Sequence, residues 1–316
     1  MERRQRALAS SRLVAGFWKH GRYYGLWRAE KYLLPIDVEE TKRLDIIHNF
    51  FLVARNNALF SVPLSLNRPL RVLDLGTGTG VWAIHLAERY KSAALRVQAV
   101  DLHQIQPAIL TCTRIPPNMT TVQLDIEDVS WDPLMKNCDL VHLRMLYGSI
   151  ENSRWPGIYR RAFEHLTPGI GYIEHVEIDW KPRWPGDAAP PASAVSEWSR
   201  LLLRGWNRLN RKAEVNRNEV KRALETAGFV DFKEETMPCY LSPWLSDEFQ
   251  KETARWFNLG FSHGLEAMGL VPMVEKLNMT KEEVGELCKR VRDEICTLRF
   301  RAYMTMHIWT ARRPAN

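Results

Sequence analysis

The stretch Val72-Leu-Asp-Leu-Gly-Thr-Gly-Thr-Gly80 constrains this chain more than any other. The apolar run from Arg71 to Leu75 reads as a strand, and glycines follow at 76, 78 and 80. Beyond them, Val81, Ile84, Leu86 and Ala87 are apolar at helical rather than alternating spacing. The order is strand, tight loop, helix. Glycine lets such a loop take positive φ and lets a ligand touch bare backbone. The free amides at the start of the following helix face the same place.

Three ligand classes use a loop of this kind, and spacing separates them. A dinucleotide fold wants G-x-G-x-x-G, but Val81 stands where its last glycine belongs. A P-loop ends in G-K-S/T, and no lysine follows Gly80. The remaining pattern, D-x-G-x-G-x-G at Asp74, Gly76, Thr77, Gly78 and Gly80, resembles motif I of class I S-adenosylmethionine-dependent methyltransferases. That resemblance implies a loop wrapped around the amino-acid and ribose end of the cofactor. The alternative is a glycine-rich turn inside another βαβ unit.

Two acidic strand ends follow in the order such a fold requires. Arg96 to Asp101 reads as a second strand, its carboxylate 23 residues beyond Gly78. An acid there accepts ribose hydroxyls in α/β nucleotide folds. Thr121 to Asp125 gives a third strand, followed by Ile126, at the position that reads adenine in the methyltransferase family. With Tyr32, Leu102 and Leu143, the expected cofactor-binding set is Tyr32, Asp74, Gly76, Thr77, Gly78, Gly80, Asp101, Leu102, Asp125, Ile126 and Leu143. Further strands are expected at Cys138–Met145, Gly171–Trp180, Val230–Met237 and Tyr303–Arg312, with a proline-rich loop over Lys181–Pro191 and one or two helices over Ala194–Gly228. The fold class is therefore α/β: a Rossmann-like class I methyltransferase with a seven-stranded sheet. A helical layer precedes the sheet, with Leu44, Ile47, Phe51 and Val53 marking its apolar face, and a mostly helical cap is inserted between the last two strands. The expected divisions are a basic arm (1–31), the helical layer over the cofactor site (32–66), the core (67–241), the cap (242–302) and a final strand with its tail (303–316).

Charge and cysteine content narrow the function classes. Eight basic and two acidic residues give positions 1–31 a charge of +6, out of +7 for the whole chain. The body is thus close to neutral, which argues against direct nucleic-acid binding. The arm reads as a presequence, a contact for an acidic partner or a lid, and its aromatics (Phe17, Trp18, Tyr23, Tyr24, Trp27) predict that its second half packs. Five scattered cysteines without a C-x-x-C pair argue against a disulfide framework or structural zinc. No apolar run is long enough to span a membrane, so an intracellular chain, cytoplasmic or nuclear, is expected.

A narrower resemblance runs from about Tyr23 to the end. It is carried by Tyr32-Leu-Leu-Pro-Ile-Asp37, Arg43-Leu-Asp-Ile-Ile-His48, Asp101-Leu-His-Gln-Ile-Gln-Pro107, Ile173-Glu-His-Val-Glu-Ile-Asp179 and His307-Ile-Trp-Thr-Ala-Arg-Arg-Pro314. The chain resembles the fungal LaeA-like methyltransferases, including the VipC and VapB type. This implies regulators of development and secondary metabolism that act with velvet-type proteins or a sibling methyltransferase. Methyl transfer to a poor nucleophile needs a base near the strand mouths. The candidates by placement are His142, Arg144, Glu174 and His175, with His263 on the cap. A histidine in an apolar strand is otherwise a hydrogen-bonded core residue. No Asn/Asp-Pro-Pro-Tyr/Phe tetrapeptide and no metal-ligand set is visible. Two classes stay open: a working methyltransferase on a protein or small-molecule acceptor, and a cofactor-binding regulatory subunit with weak or no catalysis.

Overall fold

The computed structural model describes residues 14–91, 94–105, 115–187, 190 and 192–315. Arg3, Arg4, Arg6 and Arg12 of the basic arm, Cys112, and Gln106-Pro107 lie outside the described residues. The chain opens with a hairpin, β1 (Gly16–Lys19) and β2 (Arg22–Gly25), turned at His20 and Gly21, both at positive φ. Helix α1 (Val38–Ala54) starts at Asp37, whose carboxylate accepts the Glu40 amide and two bonds from Arg22. The sheet follows as β3 (Arg71–Leu75), β4 (Arg96–Asp101), β5 (Met119–Gln123), β6 (Leu140–Arg144) and β7 (Tyr172–Arg183), with α2 (Val81–Arg89) after β3 and α3 (Trp155–His165) after β6. Helices α4 (Ala194–Arg208) and α5 (Arg217–Thr226) lead into β8 (Val230–Tyr240). Then α6 (Glu248–Gly269), a π-helical extension over Leu270–Glu275 and α7 (Lys281–Ile295) precede β9 (Tyr303–Arg312).

The strand order is β5-β4-β3-β6-β7-β9-β8, with β9 antiparallel to both neighbours and the others parallel. The expected seven-stranded sheet is present. Its central strands are buried on both faces, which explains why they read as continuous apolar runs. Leu73, Leu75, Val141, Leu143 and Ile173 pack with α3 and α5, while Val72, Val97, Ala99 and Leu140 pack with Trp82, Ala83 and Leu86 of α2. A third core joins α1, α4, α6 and α7 to the far half of β7 and to β9.

Two local expectations are corrected and one open alternative is decided. The strand over β7 runs on through Lys181 to Arg183, because β9 keeps pairing with it across a bulge, where the sequence suggested a loop from Lys181. The 194–228 stretch is two helices, α5 being capped by Asn216. The buried face of α1 is partly polar: Ile47, Phe50 and Phe51 are buried, but so are Glu40, Arg43 and His48, while Val53 is only half-buried. The insertion after β8 leaves and rejoins on one rung, where Leu241 N donates to Ala302 O. Among the described residues no helix is long and apolar enough to cross a membrane.

Candidate active site

The carboxyl ends of β3, β4, β5 and β6 open into one cleft, roofed by α1. Its floor is the glycine loop. Gly76 N and Thr77 N both donate to Val100 O, which pins the loop to the neighbouring strand. Gly76 and Gly78 sit at φ +69° and +58°, and a Cβ on Gly76 would overlap the Leu146 side chain. Gly78 N donates to Asp101 Oδ2 at 2.7 Å and His103 N to Oδ1 at 3.0 Å. Burial pushes the Asp101 carboxyl up to about 6, against the pull of those amides. Thr77 Oγ1 donates to Asp74 Oδ2 at 2.6 Å, and Thr79 Oγ1 ties the loop to Asp45 of α1 at 2.8 Å.

His142 is the residue that the β6 pairing sets beside Asp74. Its Nδ1–H donates to Asp74 Oδ1 at 2.7 Å, and its ring lies flat on Trp82, 3.7 Å away at 5°. Burial lowers the His142 pKa while Asp74 opposes the shift. Its Nε2 is buried and has no partner among the described residues. Arg144, two residues on, shares that face and also lines the cleft. Tyr32 stands at the wall beside His103, and burial raises its hydroxyl pKa.

Of the expected site residues, the structure brings Tyr32, Asp74, Gly76, Thr77, Gly78, Asp101, Leu102, Asp125, Ile126, His142 and Arg144 to the cleft. It does not bring the others. Leu143 is fully buried on the opposite face of β6, since neighbouring strand residues point opposite ways. Gly80 lies behind the wall, in the left-handed region, and caps α2. Glu174 is buried against Arg55 at 2.8 Å and the Ser61 amide, holding the end of α1 rather than facing a ligand. His175 is also in the core: Tyr159 donates to its Nδ1 at 2.9 Å, and its Nε2–H donates to Glu177 at 3.0 Å. Glu177 in turn accepts Leu146 N and Tyr147 N, which fixes the turn after β6, where Met145 takes φ +59°. His263 is exposed on α6. No residue of the 242–301 insertion, and none of Trp180, Trp184, Trp198, Trp206, Trp244 and Trp256, lines the cleft; most of those tryptophans pack in the core behind it.

Several lining residues escaped the sequence reading: Arg43 on α1, then Trp82, Glu127 and Leu146, while Leu44 and Ile47 were read only as the apolar face of the helical layer. Their signal was faint, because the roof helix shows no clean apolar stripe. The N-terminal segment reaches the rim. Arg28 pairs with Asp125 at 2.5 Å and Asp128 at 2.6 Å, and Lys31 with Glu127 at 2.6 Å. Asp125 therefore already carries a cation, besides accepting the Glu127 amide.

A model of the methyltransferase domain family matches residues 45–234, which contain the glycine loop, Asp101, Asp125 and β6. The secondary metabolism regulator LAE1 of Hypocrea atroviridis is 51% identical over 304 residues, 96% of this chain and 85% of that protein. The chain belongs to the LaeA-like family of methyltransferase-domain proteins. The family's secondary metabolism regulator laeA of Aspergillus flavus is 36% identical over 300 residues, 94% of this chain and 78% of that protein. Among solved structures, the cyclopropane synthase MmaA2 of Mycobacterium tuberculosis is 12% identical with a TM-score of 0.49, covering 84% of each chain. This LaeA-like chain thus carries a methyltransferase domain, and its Hypocrea atroviridis and Aspergillus flavus relatives are secondary metabolism regulators.

Proposed function

We propose that the cleft binds S-adenosylmethionine, the cofactor that the methyltransferase domain implies, and that the protein transfers its methyl group to a protein or small-molecule acceptor in regulating secondary metabolism and development. The observation that carries this reading is the Gly78–Asp101 contact. A bare-backbone loop at positive φ rests on a carboxylate whose two oxygens each take one amide and keep lone pairs for ribose hydroxyls. When bound, the cofactor supplies a methyl group with its own leaving group. The chain then has to hold the acceptor in line with it and exclude water. All four of Asp125, Ile126, Leu102 and Tyr32 line the cleft, and this reading assigns the first two to adenine and the last two to the ribose side. For an acceptor that must lose a proton, His142 Nε2 is the available lone pair, oriented by the bond from Nδ1 to Asp74.

A second reading, a cofactor-binding regulatory subunit with weak catalysis, draws on one observation. Of the candidate bases named from sequence, only His142 and Arg144 reach the cleft, and burial lowers the basicity of His142. Trp18, Leu26 and Trp27 of the N-terminal segment are exposed apolar side chains suited to a protein partner, consistent with assembly on a velvet-type protein or sibling methyltransferase in the nucleus or cytoplasm. Incubation with methyl-labelled cofactor and candidate partners separates the readings. Label should appear in an acceptor and vanish in Gly78→Val, a position at φ +58°. Transfer that survives this substitution defeats the placement of the cofactor on the glycine loop. Cofactor binding without any labelled acceptor favours the scaffold.

A further inference from the structure

Arg144 closes β6 inside the cleft, and among the described residues no carboxylate pairs with it. Its guanidinium sits 4.7 Å from the Phe51 ring centroid, and both terminal nitrogens lie 3.3 Å from His48 Nδ1. A guanidinium only donates, so His48 Nδ1 accepts and its proton is on Nε2, which donates to His85 Nδ1 at 2.8 Å. Burial and the adjacent Arg144 hold the His48 pKa down to about 2, so the backing of Arg144 is neutral. Arg43, the other arginine of the cleft, is closed by two bonds to Glu40 at 2.8 and 2.6 Å. Arg161 also lacks a carboxylate, but it donates to the Ile126 carbonyl and does not line the cleft. Burial draws the Arg144 pKa down to about 10. A half-buried cation with no ion-pair partner is costly, and a guanidinium fork matches a carboxylate with two parallel bonds.

We infer that Arg144 is the anion-binding residue of the cleft and takes the carboxylate of a ligand that extends past the glycine loop onto β6. The inference rests on the cofactor reading. Strand order β5-β4-β3-β6 sets Asp125, Asp101, the glycine loop and Arg144 in one line. A group reaching Arg144 therefore lies beyond the ribose. Two carboxylates meet that description: the amino-acid end of S-adenosylmethionine and the acid group of an acceptor.

Calorimetry on the full chain with S-adenosylhomocysteine and with methylthioadenosine, which lacks the amino-acid end, separates them. If Arg144→Gln weakens the first by about tenfold or more and leaves the second within about twofold, the carboxylate is the cofactor's. If neither changes, saturation-transfer NMR with benzoate and glutarate on the S-adenosylhomocysteine complex should show binding in wild type and none in Arg144→Gln, which identifies an acceptor acid. The inference is overturned if Arg144→Gln equals wild type in every titration, or if it weakens both nucleosides equally. Arg144→Lys should restore part of the loss, and Arg144→Gln, relieved of an unpaired charge, should melt no lower than wild type. Wild type that binds neither nucleoside fails the cofactor reading itself, and this inference falls with it.

Discussion

Replacing Asp101 with Asn tests the cradle most directly, because binding and stability should move in opposite directions. Ionised Asp101 can accept both ribose hydroxyls while holding Gly78 N and His103 N. Asparagine keeps one acceptor oxygen, so at least one charge-assisted bond is lost and the other is weakened, for a loss of about 2–4 kcal/mol, or about 30- to 1,000-fold in Kd. Stability follows the opposite sign. The folded pKa of about 6 lies above the ordinary 3.8, so the folded state keeps a proton that the unfolded chain has lost between those values. Stability contributed by this group therefore falls as pH rises through that window and stays low above it. The full shift corresponds to about 3 kcal/mol; partial exposure of Asp101 discounts it to roughly 1 kcal/mol. At about pH 7.5 the ligand-free variant should match or exceed wild type by up to that amount, and its melting profile should be flatter with pH. Wild-type affinity for S-adenosylhomocysteine should drop roughly tenfold at about pH 5, narrowing the gap to the variant. Calorimetry and thermal melts at both pH values read all of this. A variant that binds like wild type at pH 7.5 refutes the assignment of Asp101 as the ribose acid.

Three further substitutions probe the surroundings. Gly76→Ala puts a Cβ into Leu146 at φ +69°, and should cost about 1–3 kcal/mol by urea unfolding and lose nucleoside binding; normal binding would show the loop is not the floor. Glu174→Ala strands the buried Arg55 guanidinium and should destabilise by about 3–5 kcal/mol in urea; a stable but inactive variant would instead make Glu174 catalytic. Arg28→Ala removes a partly exposed pair worth less than about 1 kcal/mol of stability and frees Asp125 for the adenine amino group. Its affinity for S-adenosylhomocysteine should rise about two- to fivefold by calorimetry, and weaker binding would mean that Arg28 supports the site.

The floor of the cleft was legible because it is written locally: one glycine run, one acid at the end of the next strand, apolar runs for strands buried on both faces. Its walls were not. Glu174 and His175 looked like strand-mouth residues, yet Glu174, though level with His142, is covered by Arg55 and the Ser61 amide, and His175, level with Leu143, is buried against Tyr159 and Glu177. The hairpin was missed although His20-Gly21 between Phe17-Trp18 and Tyr23-Tyr24 carries a two-residue turn signature. The roof helix was expected over the site, but its buried Glu40–Arg43 pair and His48 break the apolar period that a sequence pattern detects, so its polar lining went unread. Partners such as Arg28 and Asp125, 97 positions apart, leave no local trace.

The insertion that departs and returns on the Leu241–Ala302 rung packs both on the far half of the sheet and on the roof. Phe257 of α6 sits 4.9 Å from Phe50 of α1, and Gly264 lies against Arg43. A protein gripping the outer side of α6 and α7 would thus press on the helix that carries Arg43, Leu44 and Ile47 over the cleft. Such a grip could widen or tighten the binding slot from a distance, and regulation by assembly would then need no direct touch on the chemistry.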